Sequence, residues 1–134
     1  MGQVFWQGDL NKDEIEKLDK AGVVAFKFFW GYAINSKTYG LVYNYNPEDT
    51  DVIPPLKDGE VYEIFKEVAK TGKLIAIHAE NADMIQTFTK QVMESGDKSY
   101  EAFLNTRPNI CEETITQTAI SFSKHTGARL HLLH

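Results

Sequence analysis

Three apolar runs leave this chain few folds to choose from. They are "GVVAFKFFW" (22–30), "KLIAIHA" (73–79) and "ARLHLLH" (128–134). Each is nearly continuous rather than alternating, so each reads as a strand of a parallel sheet covered on both faces. "QVFW" (3–6) is a fourth and weaker run. Apolar residues between the runs recur at helical spacing instead. Asn11 and Glu14 read as a capping-box variant ahead of Ile15 and Leu18, with Gly22 as the stop. Asp58 precedes the stripe Val61, Ile64, Phe65 and Val68, which Gly72 ends. Met84, Ile85, Phe88 and Val92 form a third helix closed near Gly96. Asn109 and Glu112 cap a fourth, carrying Ile115, Ala119 and Phe122 up to Gly127. The order β-α-β-α-β-α-α-β predicts an α/β fold with parallel strands and right-handed crossovers. One connection stands out. Residues 33–57 hold "TYGLVYNYNPEDTDVIPP", too long for an ordinary strand-to-helix loop and placed where α/β proteins carry their chemistry.

Composition narrows the function classes. The 134 residues suit a single domain, and 43% hydrophobic content is enough for a core. A net charge of -5 without any basic block predicts no nucleic-acid partner. No apolar run reaches spanning length and no signal peptide opens the chain, so no membrane is expected. The single cysteine, Cys111, has no partner for an internal disulfide and reads as a buried helix residue. A reduced, cytoplasmic setting is the expectation.

The candidate chemistry sits in and after the strands. Lys27 interrupts an apolar run, where an unpaired ammonium is costly and its pKa should fall. Reaching solvent at the strand end, pairing with a carboxylate, or covalent conversion would each relieve that cost. His78 ends the second strand, either as a hydrogen-bonded rim residue or as a metal ligand. His134 ends the third, with His131 three residues earlier. At that spacing the two side chains point to opposite faces, so at most one serves the site, and His134 is preferred. Three parallel strands thus each bring a possible ligand toward one mouth, and neutral imidazoles with an oxygen donor suit zinc.

At this point the sequence resembles a known family. "GVVAFKFFWGY", "IHAENADMI" and "RPNICEETITQTAI" with "GARLHLLH" resemble the cyclic amidohydrolases: dihydropyrimidinase or hydantoinase, allantoinase and dihydroorotase. The resemblance covers nearly the whole chain. It implies a (β/α)8 TIM barrel with two zinc ions bridged by a carbamylated lysine, and the bridging role falls to Lys27. His78 and His134 match the histidines that bind the second zinc. Tyr32, five residues past the lysine, matches the group that polarises the scissile carbonyl, although a plain loop tyrosine closing the strand is an alternative. Glu80 and Asn81 read as organisers of the next turn and helix cap. The implied substrate is a small cyclic amide or ureide, with hydantoin or dihydropyrimidine rings ahead of allantoin and dihydroorotate.

Other family features have no counterpart here. The first-strand His-x-His pair and the eighth-strand aspartate, the proton shuttle of the family, are both missing. The chain therefore reads as an internal fragment covering about strands three to six, inactive and metal-poor in isolation, and prone to homo-oligomerise through bare edges. Two other classes remain open: a non-catalytic structural relative of dihydropyrimidinase, and a small flavodoxin-like binding domain.

Overall fold

The computed structural model describes residues 2–4, 6, 8–43 and 45–133. Four strands form one parallel sheet: β1 (Gly2–Gln3), β2 (Ala25–Trp30), β6 (Leu74–Ala79) and β7 (Arg129–Leu132), hydrogen-bonded in the order β1-β2-β6-β7. This is the expected sequential order. The weak first run contributes only Gln3 to β1, and Val4 extends the pairing by donating to the Lys27 carbonyl at 2.8 Å. Among the described residues, five α-helices connect the strands: α1 (Lys12–Lys20), α2 (Asp58–Thr71), α3 (Ala82–Ser95), the short α4 (Tyr100–Asn105) and α5 (Ile110–Thr126). The glycines at 72, 96 and 127 stop α2, α3 and α5 as expected.

Strand alternation divides the sheet into two unlike faces. Phe26, Phe28 and Trp30 of β2 join Ile75, Ile77 and Ala79 of β6 in the core. Against them pack Val61, Ile64, Phe65 and Val68 of α2, and Ile115 and Ala119 of α5. Phe65 is fully buried, with its ring 6.5 Å from Trp30 and 5.8 Å from Phe122. Burying a side chain of that size is worth roughly 1.5–3 kcal/mol. The opposite face carries Lys27, Phe29, Ala76 and His78, of which only Ala76 is buried. The near-continuous apolar runs imply cover on both faces, whereas the core described here lies against one.

The stretch from 33 to 57 is a second sheet rather than an open loop. β3 (Ala33–Asn35), β4 (Leu41–Val42) and β5 (Val52–Ile53) pair antiparallel in the order β4-β3-β5. Asn35 shapes the β3–β4 turn, its side-chain oxygen accepting from the N–H groups of Lys37 at 3.0 Å and Thr38 at 2.8 Å. Lys37 pairs with Asp51 at 2.7 Å across the sheet. This small sheet starts directly after Tyr32, so it stands beside the mouth of the parallel sheet.

Candidate functional site

The ladder register brings two of the expected ligands to one face. Lys27 lies opposite Ala76, and Phe29 lies opposite His78. Lys27 and His78 therefore share the face opposite the core, two residues apart along the ladder. The Lys27 side chain is half-buried, and its amine, shielded from solvent, has no hydrogen-bond partner among the described residues. It lies over the Phe29 ring, 4.5 Å from Nζ to the centroid. Burial pushes the amine below the usual lysine range.

A second group gathers where β2 and β6 end. Tyr32 sits two residues past β2, and its ring meets His78 edge-on at 5.3 Å. The Tyr32 hydroxyl donates to the Glu80 carboxylate, and Oε2 of that same carboxylate lies 3.3 Å from His78 Nε2. The tyrosine's pKa is pushed up to about 12, by burial first and then by the bond to Glu80 and its charge. The nearby Arg107 works in the opposite direction. Close approach of the two strand ends requires glycine at 31, where φ is +96° and a Cβ would collide with the Glu80 carbonyl. Asn81 then starts α3, its side-chain oxygen accepting from the Met84 N–H at 3.1 Å.

Of the four residues expected at the site, Lys27, His78 and Tyr32 are placed around one strand mouth. His134 lies outside the described residues. The expected orientation of His131 is corrected by the register. It pairs with Ala76 across β6, so alternation puts it on the face of Lys27 and His78 rather than away from it. Glu80 is a member of the cluster that sequence spacing placed at a turn. Arg107 is another, noted in the sequence only as part of a matching stretch. Among the described residues no three of His, Cys, Asp and Glu come together as a metal site, and no helix is long and apolar enough to cross a membrane.

No protein-family model matches the chain. Individual relatives do. An allantoinase of Enterococcus faecalis is 36% identical over 122 residues, which is 91% of this chain and 24% of that protein. An L-hydantoinase of Paenarthrobacter aurescens is 34% identical over 124 residues, covering 92% of this chain and 24% of the relative. Among solved structures, an L-hydantoinase (dihydropyrimidinase) from Arthrobacter aurescens aligns with a TM-score of 0.74 at 33% identity, over 92% of this chain and 24% of that one. The chain thus spans about a quarter of the length of the curated relatives it matches. Sequence and fold together make it a homologue of the cyclic amidohydrolases named allantoinase and hydantoinase.

Proposed function

We propose that the chain forms the central part of a (β/α)8 barrel in a zinc-dependent hydrolase that opens cyclic amides or ureides. The observation that carries this reading is Lys27, a buried amine without a hydrogen-bond partner among the described residues, on one face with His78. A buried ammonium with no carboxylate beside it is costly, which favours the free amine. That amine can add to carbon dioxide, losing a proton and gaining an anionic carboxylate group. An orphaned donor then becomes an oxygen ligand, so the residues fit the metal that the family resemblance implies. Carbamylated Lys27 and His78 would hold zinc, with His134 as the further ligand that the family resemblance implies; β7 ends at Leu132, so strand alternation assigns no face to residue 134.

Bound zinc supplies a Lewis acid and a source of hydroxide near neutral pH. The rest falls to the chain. With its pKa near 12, Tyr32 stays protonated at neutral pH and can donate to a carbonyl oxygen whose negative charge is growing. Glu80, accepting from that hydroxyl in this structure, sets where it waits. Hydantoin or dihydropyrimidine rings are the favoured substrates, with allantoin and dihydroorotate next. The names of the relatives support this substrate class. In isolation the chain holds little zinc and turns over no substrate, because the first-zinc histidines and the proton-shuttling aspartate of the family are not among its residues. It self-associates through the sheet face that bears Lys27, and it works in the cytoplasm.

Splicing the chain into the Paenarthrobacter aurescens L-hydantoinase, in place of the matching quarter, tests the reading. Zinc content and ring hydrolysis should persist, and Lys27→Ala should abolish hydrolysis. A folded, zinc-loaded chimera that leaves every cyclic amide intact overturns the proposal.

A further inference from the structure

We propose that the cavity beside Tyr32 binds a small organic carboxylate with an apolar body, and that Arg107 holds its charge. The cavity lies between the small antiparallel sheet and α3 and has a volume of about 670 Å³. That is within the roughly 300–1,000 Å³ of small-ligand sites. Tyr32 and Arg107 form part of its wall, but Lys27 and His78 do not. Tyr43, Tyr45, Met93 and Phe103 supply an aromatic and apolar lining. Of these, Met93 is 76% exposed and Phe103 55% exposed, although α3 and α4 both border the cavity. No described residue of α3 is fully buried; Met84 meets Thr114 of α5, while Ile85 and Met93 border the cavity.

Charge decides what fits. The half-buried Arg107 sits with its guanidinium carbon 5.8 Å from the Phe103 ring centroid. Its Nη1 donates to the neutral Thr106 hydroxyl at 3.2 Å, and no carboxylate forms an ion pair with it among the described residues. The two other charges on the wall, Lys90 and Glu94, face each other at 3.9 Å and offset one another. Glu80 is engaged by the Tyr32 hydroxyl and by its approach to His78. Arg107 also acts on the Tyr32 hydroxyl, a neutral partner, so it remains the one cation on the wall without an ion pair among the described residues, laid over an aromatic ring at the end of an apolar cavity. A guanidinium fork matches a carboxylate edge, and the walls match a ring or branched side chain. A phosphate would bring more charge and a third oxygen than this lining can satisfy.

Such an anion has a source if the ring-opening reading above holds, and this part of the inference rests on it. Hydroxide adds to the ring carbonyl carbon, the carbon–nitrogen bond breaks, and the proton goes to the leaving nitrogen. The new acid then ionises. A substituted hydantoin opened this way becomes an N-carbamoyl amino acid, and its carboxylate would rest on Arg107 beside Tyr32.

The test is binding to this chain, with no turnover required. N-carbamoylphenylalanine is titrated into the protein by NMR, following backbone amides of α3 and the Arg107 Nε–H. Saturable binding is expected, with affinity falling about tenfold or more in Arg107→Gln, the equivalent of about 1.4 kcal/mol or more. On the unmutated chain, the uncharged N-carbamoylphenylalaninamide should bind about tenfold more weakly, which keeps the test intact if Arg107→Gln fails to fold. Equal affinity for acid and amide, or no saturable binding, overturns the site. Phenylpropionate binding as tightly as the carbamoyl acid, with the same loss in Arg107→Gln, supports the carboxylate site and overturns its tie to the ring-opened product.

Discussion

Replacing Lys27 with methionine should make the isolated chain more stable, although the substitution removes a residue of the proposed site. The amine is buried without a hydrogen-bond partner among the described residues. Leaving a polar group in that state costs roughly 1–3 kcal/mol. Methionine keeps much of the length and volume and removes the penalty. One favourable contact is lost, the approach of Nζ to the Phe29 ring at 4.5 Å. Such a cation–π contact is worth about 2 kcal/mol when the cation is desolvated, as this amine is. A penalty at the upper end of that range still exceeds it, for a net gain of about 1 kcal/mol. At this chain length that is roughly 3–5 °C in Tm. Urea unfolding at several pH values measures it. Burial lowers the folded-state pKa of Lys27 below 10.5, so between that lowered value and 10.5 the unfolded chain binds more protons than the folded one. Wild-type stability therefore rises with pH across that window, and its penalty is full below the folded pKa. The advantage of Lys27→Met should accordingly be largest at neutral pH and shrink toward pH 10.5. A variant less stable than wild type, or a gain that does not shrink with pH, refutes the reasoning.

Three further outcomes are expected. Phe65→Ala removes a fully buried ring that contacts Trp30 and Phe122 and should cost about 3–5 kcal/mol, read as a fall in urea midpoint. Tyr32→Phe in the L-hydantoinase chimera should lower kcat by about 10²-fold with zinc content unchanged, and turnover within a few-fold of the parent would make Tyr32 a loop residue. Light scattering of the isolated chain should give a mass above the monomer, falling when Phe29 is replaced by serine on the sheet face opposite the core.

The parallel sheet was legible because its strands are written as long apolar runs, and their spacing left room for little else. Asn81 was legible as a helix cap because the residue type and the following stripe agree, and its side chain makes that bond. Asn11 and Asn109 carried the same signal, yet neither side chain makes a cap bond. At Asn109 the backbone is already helical, with φ -50° and ψ -30°, which turns the side chain away from the cap geometry. The small antiparallel sheet escaped because strands of two and three residues are too short to show alternation. Glu80 escaped for another reason. Its carboxylate reaches Tyr32 across 48 residues of sequence, and only the pairing of β2 with β6 brings the two together. Alternation alone misassigns the face of His131, because it fixes a face only once the register with the neighbouring strand is known.

Gly31 carries no functional group, yet Tyr32 and Glu80 meet only because the chain can turn there without a side chain. The consequence shows in how the two adjacent positions would answer to selection. In a library of single substitutions screened for folded protein alone, position 31 should accept nothing but glycine, while position 32 tolerates phenylalanine and other rings. Screened for ring hydrolysis in the chimera, both positions should close. The gap between the two screens separates a residue kept for the path of the backbone from one kept for its hydroxyl.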